Sequence, residues 1–144
     1  MSKRVRYWLP AIVWAAVILT ASSDLFSSTH TGSILEQIIT AILGHPLPAH
    51  QFEMLHAAIR KAAHLTEYGI LGALLFRALR AGRAGWSVRW ASAAVLLAAC
   101  LASVDEWHQT FIPSRTGSPV DVAIDTAGAV IAQAMIRAAQ MLFF

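Results

Sequence analysis

The chain has 144 residues, of which 57% are hydrophobic and only 13% charged. Soluble domains carry about a quarter charged residues, so this composition points away from a water-solvated globule and towards helices that cross hydrocarbon. The formal charge of +3 and the pI near 9.6 do not indicate a nucleic-acid partner, because the basic residues are spread along segments that flank apolar runs. With Cys100 as the one cysteine, neither an intramolecular disulfide nor a cysteine-based metal site can form.

A membrane helix needs roughly 20 mostly apolar residues. The first such segment is 7–22, YWLPAIVWAAVILTAS, preceded by Lys3, Arg4 and Arg6. Basic residues before an apolar run also fit a cleaved signal peptide, but Tyr7, Trp8 and Trp14 favour a retained anchor. An outer segment, 23–61, follows. Within it SILEQIITAILG predicts a short amphipathic helix that opens on a Ser33–Glu36 capping box and stops at Gly44 and Pro46. Ile34, Leu35, Ile38, Ile39, Ile42 and Leu43 make its apolar face, suited to a membrane surface. AHQFEMLHAAIRK then leads as a helix into a second span, 62–79. The third span is placed at 88–112 and the fourth at 120–142. The fold expected is therefore an all-α membrane protein with four transmembrane helices in one domain, 1–144, plus the outer amphipathic helix.

Lysine and arginine counts near span ends set orientation. Four spans put Lys3, Arg4, Arg6, Arg77, Arg80, Arg83, Arg89 and Arg137 on one side and only Arg60, Lys61 and Arg115 on the other. Both termini are thus expected in the cytoplasm. All carboxylates and all histidines then fall on the opposite, outer side, an asymmetry that the positive-inside rule does not require.

Several of these polar groups lie inside spans. His64, Glu67 and Tyr68 share one helix face at i, i+3 and i+4, and Asp105, His108 and Gln109 repeat that spacing. Asp121 and Asp125 stand one turn apart. At 1.5 Å rise per residue, Glu67, Asp105 and Asp125 each lie roughly 9–10 Å below the outer rim. Charges at that depth need partners or water, so one outward-opening pocket shared by three helices is expected. Plainer readings compete: Asp121 completing a capping box after Ser118 and Pro119, Glu106 and His108 solvated at the interface, Tyr68 as a belt aromatic, and the whole cluster as interhelical glue. Gly69, Gly72 and Gly128 are expected to permit close helix packing.

Three blocks carry a family resemblance: the apolar-then-SS segment near the start, RKAAHLTEYGILGALLFRAL, and DEWHQTFIPSRTGSPVDVAIDTAGA. Together they resemble the VanZ-like family of small bacterial integral membrane proteins. The matching positions are His64, Glu67, Tyr68, Asp105, Glu106, Gln109, Arg115, Asp121 and Asp125, which form the expected binding pocket. Position 125 is often asparagine in similar proteins, so Asp125 adds a negative charge. The family is named for a protein associated with low-level teicoplanin resistance, and the resemblance implies an envelope role in the plasma membrane without supplying a reaction.

Three functional classes follow. The first is a membrane factor that recognises an envelope lipid headgroup or a glycopeptide-type molecule, with Arg60, Lys61 and Arg115 on phosphate. The second is a membrane enzyme acting on a lipid-linked envelope precursor, with Glu67, Asp105, His64 and His108 as the candidate acid–base groups. The third is a structural membrane protein. No cofactor is expected; a mixed nitrogen–oxygen metal site of His64, Glu67, Asp105 and Asp125 is the variant of the enzyme reading.

Overall fold

The computed structural model describes residues 2–22, 28–112 and 117–143. These form five α-helices: α1 (Lys3–Ala21), α2 (Ser28–Leu43), α3 (Ala49–Arg80), α4 (Val88–Gln109) and α5 (Pro119–Phe143). No strand occurs among the described residues.

Three helices are long and apolar enough to cross a membrane, through Arg4–Ala21, Val88–Gln109 and Pro119–Leu142. The expected second span, 62–79, is not among them, because His64, Glu67 and Tyr68 interrupt its apolar run at one end and Arg77 at the other. It is the second half of α3, a continuous helix of 32 residues. Pro10 sits inside α1, where it removes one backbone hydrogen bond, yet the helix continues through it.

The helices alternate in direction. At one end, Arg77 lies over the Tyr7 ring at 5.5 Å, Arg83 over Trp90 at 5.9 Å and Arg137 over Trp86 at 4.9 Å. The start of α1, the end of α3, the start of α4 and the end of α5 therefore meet there. Gly82 turns the chain at that end with φ +82°, and a side chain on it would collide with the Tyr7 hydroxyl. Contacts described below join the remaining ends.

Small residues set how closely the helices approach. Ala91, Ala94, Ala98 and Ala102 form a buried stripe along α4. On the α3–α5 seam, a Cβ at Gly72 would stand 2.9 Å from the Cα of Ala129, and one at Gly128 would overlap the Leu65 carbonyl. In hydrocarbon, packing and interhelical hydrogen bonds hold helices together, since lipid tails are as apolar as leucine. Gln133 supplies one such bond, donating from Nε2 to the Gly72 carbonyl at 3.0 Å. Many large apolar residues point outward, among them Ile12, Leu96, Val104, Trp107 and Met135, while Ile18, Leu71 and Phe76 are buried.

The amphipathic helix α2 begins at Ser28, not at the expected Ser33 cap. Nothing in STHTG breaks a helix outright, so the apolar face to its C-terminal side carries the helix nearly two turns further back. Gly44, at φ +77°, ends it as expected. Ile34, Ile38 and Ile42 are exposed.

Candidate functional site

The alanine stripe of α4 determines which polar groups enter the interior. Steps of three, four and seven from Ala102 lead to Asp105, Glu106 and Gln109, which are 0%, 4% and 2% exposed. Asp105 accepts a hydrogen bond from the Ser22 hydroxyl on Oδ2 at 2.8 Å, tying the end of α1 to the end of α4. Gln109 donates from Nε2 to Asp105 Oδ2 at 3.4 Å and to Glu106 Oε1 at 3.2 Å. The other Glu106 oxygen accepts from the Ser118 backbone N–H at 2.8 Å. Ser118 precedes α5, so this carboxylate satisfies a donor at a helix N-terminus, where the helix dipole favours negative charge. Gly117 packs against the Glu106 carbonyl, where a Cβ would collide.

The α3–α5 seam brings in the second group. His64 Nδ1 lies 3.3 Å from Asp125 Oδ1. Asp125 is 0% exposed, and so is Tyr68, one turn beyond His64. Among the described residues the Tyr68 hydroxyl has no hydrogen-bond partner, and it stands within electrostatic reach of Asp105, Asp125, Glu106 and Glu67. Nearer the rim, Arg60 Nη2 is 3.9 Å from Asp121 Oδ2, in a part-exposed pair. Such pairs contribute at most about 1 kcal/mol.

A cleft of about 410 Å³ opens beside these groups, between α2, α3 and the end of α1. Ile34, Leu35 and Ile38 of α2, with Ile59 and Ala63 of α3, are apolar residues of its lining. Ser22, Thr31, His56, Arg60, His64 and Glu67 are polar ones. Thr31 Oγ1 and His56 Nε2, 3.3 Å apart, link the two helices across it. The dimensions are those of a small-molecule site.

The structure thus gathers His64, Tyr68, Asp105, Glu106, Gln109, Asp121 and Asp125 at one end of the helices. Glu67 borders the cleft, and its backbone carbonyl accepts from Trp14 Nε1 at 2.9 Å. His108 does not join them. It is exposed, because the stripe that turns Asp105 and Glu106 inward turns position 108 away. The expected shared face of Asp105, His108 and Gln109 is corrected accordingly, with Glu106 in place of His108. Tyr68 is fully buried, which rules out the belt reading. Arg115 lies outside the described residues. Sequence reasoning did not identify Ser22 or His56 as site residues; the only signal for Ser22 was the serine pair ending the first apolar segment.

An all-helical chain with three helices of spanning length and apolarity, and with ionisable groups collected at one end, belongs to the class of multi-pass membrane proteins. Its particular family is shown by a sequence model of the VanZ/LLP1 family, which matches residues 7–142. The chain belongs to that family. Neither the curated proteins nor the solved structures include a match.

Proposed function

We propose that the acidic end of this VanZ-like protein faces the outside of the bacterial plasma membrane and binds a phosphate-bearing envelope lipid by its headgroup. Four spans with both termini in the cytoplasm fit the alternation of the helices. The second half of α3 packs beside helices of spanning length, antiparallel to α1 and α4 and parallel to α5, so it occupies the same slab. The basic end, with Arg77, Arg83, Arg89 and Arg137, then faces the cytoplasm. Cysteines placed singly at residues 50 and 84 in a Cys100→Ser background test the orientation. Impermeant maleimide applied to intact spheroplasts is expected to label position 50 only; labelling at 84 instead would reverse it.

The observation that supports lipid binding is a cleft lined by both apolar and polar side chains. Acyl chains fit against Ile34, Leu35 and Ile38, while Arg60 in the same lining can donate to a phosphate as a charge-assisted pair. His64 and Glu67 are placed to meet hydroxyls or an amine of the same headgroup. The expected result is a phospholipid that co-purifies and is seen by native mass spectrometry. Arg60→Ala is expected to weaken rebinding of phosphatidylglycerol about tenfold or more, given the ~1.5–3 kcal/mol typical of a hydrogen bond to a charged group. Ile38→Asp is expected to weaken it as well. Unchanged binding in both variants would sink this reading. Teicoplanin serves as a second probe, and its displacement of the lipid would place a glycopeptide-type molecule in the same site.

The close approach of His64 to Asp125 favours a second reading, a membrane enzyme that uses an acid–base pair on a lipid-linked precursor. Recovery of the bound lipid chemically unaltered after prolonged incubation would count against it.

A further inference from the structure

The deepest groups of the acidic end are not explained by a headgroup at the cleft. Asp125 is 0% exposed, and among the described residues neither of its carboxylate oxygens has an aligned hydrogen bond. His64 Nδ1 is only 3.3 Å away but is also without one. A buried carboxylate without compensation costs several kcal/mol. His64, Glu106 and Asp125 each present one potential ligand atom, and these atoms lie within 4.8 Å of one another.

We propose that His64, Glu106 and Asp125 bind one first-row divalent metal ion of the zinc or manganese kind. This site does not depend on lipid binding in the cleft. Ligand atoms at about 2.0–2.1 Å from a tetrahedral ion stand about 3.3 Å apart, which is the separation of His64 Nδ1 and Asp125 Oδ1. Two lone pairs converging on an ion need no N–H aimed at the carboxylate, which accounts for a short contact that is not a hydrogen bond. One imidazole with two carboxylates is a mixed donor set suited to zinc, manganese or iron(II) rather than to soft ions.

The surroundings supply the outer support that metal ligands use. Gln109 and the Ser118 N–H each occupy one lone pair on a different Glu106 oxygen, which fixes that carboxylate and leaves further lone pairs free. Tyr68, 0% exposed with an unpartnered hydroxyl, is a donor placed among the same carboxylates. Asp105 Oδ1 is also unpartnered, while its Oδ2 is held by Ser22. The cation would offset a group of carboxylates that, among the described residues, is balanced by Arg60 and His64. The set differs from the one expected from spacing, with Glu106 replacing Glu67 and Asp105.

The test uses the full chain in detergent with a streptavidin-binding tag, so that no polyhistidine competes. After EDTA treatment it is titrated with zinc chloride and, separately, manganese chloride by calorimetry, and bound metal is counted by mass spectrometry. At least one ion is expected to bind at one per chain and to raise the Tm. Asp125→Asn and Glu106→Gln are each expected to weaken binding at least tenfold, and His108→Ala to leave it unchanged. Both amide swaps keep shape and an acceptor, so a metal-free Tm close to the parent's separates lost ligation from lost folding. Absence of saturable binding in the parent, undiminished affinity in either amide variant, or an equal loss in His108→Ala would overturn the proposal.

Discussion

Replacing His64 with alanine is expected to destabilise the metal-free protein by about 3–5 kcal/mol, the cost of removing one partner from a buried ion pair. Asp125 is 0% exposed, and His64 Nδ1 stands 3.3 Å from its Oδ1. Truncating the imidazole therefore leaves a carboxylate in a low-dielectric interior without its adjacent cation. Asp125→Asn in the His64→Ala background removes that charge and is expected to restore most of the loss. Asp125→Asn alone should cost little, since an amide needs no counter-charge. The double-mutant cycle then shows strong coupling between the two positions. Unfolding in detergent with EDTA present is the measurement. A His64→Ala loss below about 1 kcal/mol, or additive effects, would show that the pair does not carry the compensation assigned to it.

The same pair shows how far the sequence leads. Its two residues are legible as out of place, because a histidine and an aspartate inside apolar runs demand partners. Their meeting is legible only as a guess, since it depends on α3 and α5 packing at a register fixed by Gly128 and Ala129. The rotation of α4 about its own axis was the harder inference. Asp105, His108 and Gln109 satisfy i, i+3, i+4 spacing as well as any true face does. What decides the inward direction is residue size: Ala91, Ala94, Ala98 and Ala102 mark the packed side, while Leu96, Leu97, Val104 and Trp107 face outward. Hydrophobicity carries no such information in a membrane, where both faces are apolar, so the small-residue stripe is the signal to read. It assigns Glu106 to the interior and His108 to the outside. The Ser22–Asp105 bond spans 83 positions, and no local pattern encodes it. The cleft was equally hidden, because it depends on where α2 lies against α3.

Gly128 joins packing to the site, and its substitution is expected to disturb both. A Cβ there would overlap the Leu65 carbonyl and reach 3.1 Å from the Gly69 nitrogen. Both neighbours are backbone atoms of α3, which cannot swing aside as a side chain would, so the helices must separate. Overpacking of this kind costs about 1–3 kcal/mol, and Gly128→Ala is expected to fall in that range. Gly128→Leu is expected to prevent accumulation of folded protein. The helix supports alanine better than glycine by about 1 kcal/mol, so net destabilisation by alanine would show that close approach outweighs propensity. Leu65 adjoins His64 in sequence, and Gly128 stands three residues beyond Asp125. Prying the seam apart therefore also widens the His64–Asp125 contact. In Gly128→Ala, the coupling between His64 and Asp125 is expected to shrink in the same unfolding measurement. Coupling that persists undiminished would show that the seam and the site move independently.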